Sequence, residues 1–220
     1  GSMPNSSNHR LHVVAFATPY PPRYGGVIDV FYKLKALHEQ GVRIHLHAFH
    51  YQNHPPHKEL EAYCENVSYY PRKTGWQSVF SFTPYIVRSR MIPDLLNKLL
   101  KDDNPILFEG LHTCGYINHP ALKDRKKIFR ECNIEHHYYF NLGKAAKTGS
   151  DKIFYFLESA KLSFFQRKLR HADVIAGISK KDTRYLQQKF RNNHVIRNNY
   201  FVSLDNLTCT RMSRKDNRMW

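Results

Sequence analysis

The sequence contains no run of apolar residues long enough to cross a bilayer as a helix. No charged-then-apolar leader follows Gly1-Ser2-Met3, which reads as the remnant of a cleaved tag. Cysteine is sparse. Cys64, Cys114, Cys132 and Cys209 stand singly and no CxxC pair occurs, which excludes a dense disulfide framework and points to reduced thiols in a cytoplasmic protein. Acidic residues are few: 18 Asp+Glu stand against 34 Lys+Arg, a formal net charge of +16. The dinucleotide fingerprint GxGxxG is absent, which argues against a nicotinamide site. The first apolar run ends in Thr18-Pro19, without the acidic cluster of a response regulator. No internal repeat is present. The positive field attracts anions, and nucleic acid, an anionic membrane surface and phosphorylated substrates all fit it.

What is present is an alternation of short apolar runs and helical periodicities. Residues 11–17 read as a buried strand bounded by Thr18-Pro19-Tyr20-Pro21-Pro22. After Gly25-Gly26, the residues Val27, Val30, Phe31, Leu34 and Leu37 recur at helical spacing up to Gly41. Residues 42–49 follow as a second strand, so the chain opens as a βαβ unit. Further strands are expected at 67–70, 105–108, 127–130, 172–178 and 195–196. Helices are expected at 58–64, 84–101 (split near Pro93), 136–146, 151–170 and 180–190. The expected fold is α/β, a Rossmann-like and mainly parallel sheet with helices on both faces. Residues 1–9 read as a tag remnant and disordered start, 10–202 as the domain, and 203–220 as a basic tail or linker.

In such a sheet, ligands bind beyond the carboxyl ends of the strands. Four places qualify. Gly25 and Gly26 let backbone and helix amino terminus approach a phosphate, or serve only as a tight turn. Glu109 and His112 follow the 105–108 strand and suit proton relay or hydroxyl contact, or an ordinary loop hydrogen bond. Asn133 and Glu135 follow the 127–130 strand and suit sugar hydroxyls, or a turn with Glu favouring the helix dipole. Ser179 suits a ligand contact, though a helix cap explains it better.

Five histidines fall in thirteen residues, at positions 45, 47, 50, 54 and 57. No Cys, Asp or HExxH helix accompanies them, so no metal and no cofactor are expected. The scattered Trp76, Trp220 and tyrosines match no RRM, KH or zinc-finger pattern, so no specific nucleic acid is expected.

These places, in this order, resemble the N-terminal domain of glycosyltransferase family 4-like enzymes of the GT-B fold. Pro19 to Gly26, leading into a helix that ends at Gly41, is similar to the family's opening. Asn133-Ile134-Glu135, preceded by Arg130, resembles its HNIE-type stretch, with Cys132 where histidine is common. Ala172-Asp173-Val174 to Ser179 resembles its ADxVxxxS turn. The resemblance covers residues 10 to 202.

It implies transfer of a sugar from a nucleotide-sugar donor to a glycan or lipid-linked acceptor, as in polysaccharide biosynthesis, with retention as a family expectation. Gly25 and Gly26 would approach the donor diphosphate. Glu109 and His112 would face the transferred sugar or acceptor as the catalytic pair, and Asn133, Glu135 and Ser179 would line the cleft. The family's donor-binding second domain has no counterpart after Tyr200, so the chain alone is expected to be inactive. A cytoplasmic protein, peripheral at the inner membrane face, fits the charge. The competing expectation is a polyanion or nucleic-acid binding α/β module without catalysis.

Overall fold

The computed structural model describes residues 9–23, 25–50 and 57–197. The expected start up to residue 8, His54 of the histidine run, and the tail at 203–220 with Cys209 and Trp220 lie outside the described residues.

Seven parallel strands form one sheet in the order β3-β2-β1-β4-β5-β6-β7. They are β1 (Arg10–Ala15), β2 (Arg43–His50), β3 (Asn66–Pro71), β4 (Ile106–Glu109), β5 (Lys127–Arg130), β6 (Val174–Gly177) and β7 (His194–Arg197). Side chains alternate faces along each strand. Val14, Ile106 and Phe108 therefore join one core, with Tyr70, Leu95, Leu99, Leu162 and Leu186. Val13, Ala15 and Leu107 join the other, with Val30, Leu34, Leu37 and Leu60. Both faces are covered, as an all-parallel sheet requires.

Helix α1 (Gly25–Glu39) buries Val27, Val30, Leu34 and Leu37 on one stripe. Gly41, at φ +84°, stops it. There Val42 N–H donates to the Leu37 carbonyl (3.0 Å) and Gly41 N–H to that of His38 (2.9 Å), the paired bonds of a left-handed helix cap. Two short helices follow, α2 (Lys58–Glu61) and α3 (Trp76–Val79). The helical period at 84–101 breaks into α4 (Tyr85–Arg88) and α5 (Pro93–Leu99), with Pro93 opening the second. That is where a proline without N–H is tolerated. Residues 89–92 turn inward at the break and bury Ser89 and Arg90.

After β5 come α6 (Glu135–Ala145) and α7 (Gly149–Phe165), packed against each other, the latter capped by Thr148, whose hydroxyl accepts from Asp151 N–H. Helix α8 (Lys180–Lys189) is capped in the same way by Ser179, which accepts from Asp182 N–H at 3.0 Å. Neither α3 nor the 3-10 turns at Leu111–Tyr116 and Pro120–Leu122 were expected, because segments this short carry no periodicity. Cys64, Cys114 and Cys132 are free thiols. No helix among the described residues is long and apolar enough to cross a membrane.

Candidate active site

The strand order reverses between β1 and β4, since the chain builds outward from β1 to β3 on one side and from β4 to β7 on the other. At such a switch point the loops leaving the two central strands diverge and leave a crevice beyond their carboxyl ends. Phe16 leaves β1 at this crevice, Gly110 leaves β4 and Glu135 opens the helix after β5.

Four expected or neighbouring residues meet there. A Cβ added at Gly26 would lie 2.8 Å from the Phe16 ring, so the start of α1 sits directly on that ring. The Phe16 ring also stacks on His112, with ring centroids 5.2 Å apart. His112 Nδ1 in turn lies 3.9 Å from Glu135 Oε1. Gly110 takes φ +83°. A Cβ there would come within 3.1 Å of both His112 Nδ1 and Cys132 Sγ. Only glycine gives the backbone this turn and leaves the imidazole room.

The electrostatics of the pair are unusual. Burial holds the His112 imidazolium well below its ordinary pKa, and the nearby Arg90 and Arg72 guanidiniums push the same way. Burial raises the Glu135 carboxyl to about 7, with Arg90 opposing. Neither His112 Nδ1 nor Glu135 Oε1 has a hydrogen-bond partner in the described structure. Buried polar atoms are seldom left so. A carboxyl poised near neutrality can accept a proton and return it, and a neutral imidazole beside it can hydrogen-bond the group that supplies the proton. The 3.9 Å gap is wide enough for a hydroxyl to bridge the two. Arg90, in the break before α5, donates from Nε to the Phe16 carbonyl at 2.9 Å and from Nη1 to that of Ile86 at 2.6 Å. It thereby fixes the turn after β1 and places positive charge at the crevice.

Glu109 differs from Glu135 in having a charged partner, while its Oε2 is without a hydrogen-bond partner in the described structure. It is fully buried, and Lys33 Nζ of α1 donates to its Oε1. Lys33 also reaches Asp29 at 3.5 Å, and Arg130 of β5 pairs with the same Asp29 carboxylate. Glu109, Lys33, Asp29 and Arg130 make an alternating chain of charges that ties α1 to the carboxyl ends of β4 and β5. Gly25 and Asn133 are exposed. Ser179 caps α8, and its Oγ is taken by Asp182 N–H. The structure thus joins Gly26, His112 and Glu135, buries Glu109 against Lys33, and sets Ser179 on the β6 turn.

Phe16, Arg90 and the pair Asp29 and Lys33 were not singled out from the sequence. For Lys33 a signal existed. It falls on the apolar stripe with Val30, Leu34 and Leu37, and a charge there needs a buried partner. Arg90 had none.

No protein-family model matches the chain. A Klebsiella pneumoniae protein, described as an uncharacterized 44.6 kDa protein in a cps region, is 26% identical over 178 residues, covering 78% of this chain and 46% of that protein. Medicago truncatula UGT71G1, solved complexed with UDP-glucose, aligns at a TM-score of 0.52 and 11% identity over 87% of this chain and 51% of that one. The fold is one half of a GT-B glycosyltransferase fold. Phytolacca americana apo UGT2 aligns over 86% of this chain and 51% of its own, with 13% identity and a TM-score of 0.49. This chain spans about half the length of these proteins.

Proposed function

We propose that the chain is the acceptor-side half of a glycosyltransferase of the family 4-like kind its motifs resemble. In this reading a sugar passes, with retention, from a nucleotide-sugar donor to a glycan or lipid-linked acceptor in polysaccharide biosynthesis. The supporting observation is the convergence of Gly26, Phe16, His112 and Glu135 at the switch point. The first turn of α1 carries no acidic side chain. The N–H groups of Gly25 and Gly26, with the positive end of the helix dipole, suit the donor diphosphate.

Glu135, the stronger base of the two, takes the proton of the acceptor hydroxyl, and the neutral His112 imidazole orients that hydroxyl by a hydrogen bond. Exposed Asn133, two residues before Glu135, supplies a donor and an acceptor for sugar hydroxyls. Ser179 stands farther along the same edge. Glu109, held by Lys33, acts as a positioning residue for α1 rather than in proton transfer. The nucleoside is held mainly by a second α/β half, and turnover requires it. The reading of a lipid-linked acceptor and an anionic membrane surface has its own support. Phe80 and Phe82 stand exposed beside Leu157 and Lys161 along a groove of about 300 Å³, a pairing of apolar and cationic groups suited to a lipid interface.

The test is nuclear magnetic resonance of the isotopically labelled chain with UDP-glucose, GDP-mannose and short glycans. Weak binding, on the order of millimolar, is expected to shift the amides of residues 16, 26, 110–113 and 135, and His112→Ala should remove those shifts. If heparin fragments or DNA instead bind tightly, with a steep salt dependence, while no nucleotide sugar or glycan perturbs those residues, the proposal falls and polyanion binding takes its place.

A further inference from the structure

The opposite edge of the sheet holds a second constellation. His12 is the third residue of β1 and His45 the third of β2, and the two are register partners. His47, two residues on, projects from the same face. One ligand nitrogen from each of the three rings lies within 4.8 Å of the other two. His12 Nδ1 is already 2.9 Å from His47 Nε2. Tetrahedral zinc with bonds of about 2.0–2.1 Å needs its nitrogens about 3.3 Å apart, so small ring rotations bring the three into range.

The second nitrogen of each ring is held. His12 Nε2 meets both oxygens of Asp102, at 2.9 and 3.0 Å. His47 Nδ1 meets the Tyr70 hydroxyl at 2.8 Å. His45 Nε2 meets the Ser68 hydroxyl at 2.8 Å. Such outer partners, a carboxylate above all, are what metal-bound imidazoles use to fix tautomer and orientation. A cavity of about 170 Å³, lined by His12, His45, Asp102, Asn104, Glu65 and Arg10 among others, opens beside the rings and gives a fourth ligand access.

We propose that His12, His45 and His47 form a binding site for one divalent cation of the zinc class, with Asp102 as the carboxylate partner of His12. Three imidazoles without a thiolate select Zn²⁺ and its neighbours in the transition series over Mg²⁺ or Ca²⁺. Lys98, which sits over the Tyr70 ring, opposes the bound cation, and Asp102 offsets it. His47 then keeps its proton on Nδ1 and donates it to Tyr70, freeing Nε2 for the metal. The site lies near the amino ends of β1 and β2, away from the candidate cleft. The ion therefore serves to clamp β1, β2 and the turn before β4 together.

The experiment uses the untagged chain stripped with EDTA and titrated with Zn²⁺ or Co²⁺ alone. One equivalent is expected to bind, with a tetrahedral Co²⁺ spectrum and a raised Tm that EDTA reverses. His45→Gln and His47→Gln are each expected to weaken binding at least 100-fold, and Asp102→Asn about 10- to 100-fold. His119→Gln, outside the cluster, should change nothing. X-ray absorption of the Zn²⁺-loaded unmutated chain, which needs no variant to fold, should show imidazole scattering from three ligands. The proposal is overturned by the absence of a one-to-one isotherm, by a spectrum with fewer than three imidazoles, or by undiminished binding in folded His45→Gln. Any of these would leave the cluster as a hydrogen-bonded chain from Asp102 through His12 and His47 to Tyr70.

Discussion

Gly110 and Glu131 show how much a single position can carry. Alanine at Gly110 must accept a left-handed φ and press its Cβ on His112 and Cys132. Gly110→Ala is expected to cost about 1–3 kcal/mol in urea unfolding. Gly25→Ala, whose Cβ meets nothing, should stay within about 0.5 kcal/mol. Glu131 is 1% exposed, and its carboxyl is pushed up to about 9, first by burial and then by neighbouring Asp182. The folded chain therefore keeps this proton at pH values where the unfolded chain has lost it. Stability then falls as pH rises from the ordinary carboxyl range to about 9. The buried histidines, with lowered pKa values, act in the opposite sense but finish titrating by the ordinary histidine pKa. Between about pH 7 and 9 the raised Glu135 carboxyl and the buried Cys64, Cys114 and Cys132 thiols lower stability in the same sense but equally in both proteins, so the melting comparison with Glu131→Gln isolates Glu131. The variant should lose less Tm over that interval and exceed the parent at its upper end. Equal slopes would mean that Glu131 is ionised in the folded protein.

At the scale of the element, α1 is fixed by more than its apolar stripe. Asp29 stands between Lys33 and Arg130, and Lys33 between Asp29 and Glu109. Removing one member strands a buried charge, whereas removing an opposed pair does not. Lys33→Met is therefore expected to destabilise by about 3–5 kcal/mol. Lys33→Met combined with Glu109→Gln should cost less than the sum of the two single changes, as a denaturation double-mutant cycle would show. Additive costs would indicate that the charges do not interact. The break between α4 and α5 has a comparable effect on position. An unbroken helix through 84–101 would keep residue 90 on its surface, but the turn before Pro93 aims Arg90 at the Phe16 carbonyl.

At the scale of the molecule, the reversal of strand order between β1 and β4 opens a crevice where three separate loops meet. The amino edge of the same sheet carries the histidine cluster, so the two constellations occupy opposite edges. The chain carries a formal net charge of +16, a field that attracts anions. The exposed Phe80, Phe82 and Phe164 add apolar surface that charge alone would not reveal.

The sequence by itself determined the local elements. Periodicity fixed α1, α7 and α8, the apolar runs fixed β1, β2, β4 and β6, and Gly41, Pro93 and Ser179 marked starts and stops, because each of these depends on neighbours a few residues away. The loops after parallel strands share one edge, so Gly26, His112 and Glu135 were expected near one another, and they are. Strand order and burial select which of these side chains meet and which pair internally. Glu109 and His112 are three residues apart, yet one turns toward Lys33 across the sheet face and the other toward Glu135. His12 joins His45 and His47 only through the pairing register of β1 and β2. Such contacts are set by strand order, register and burial, which join residues far apart in the chain.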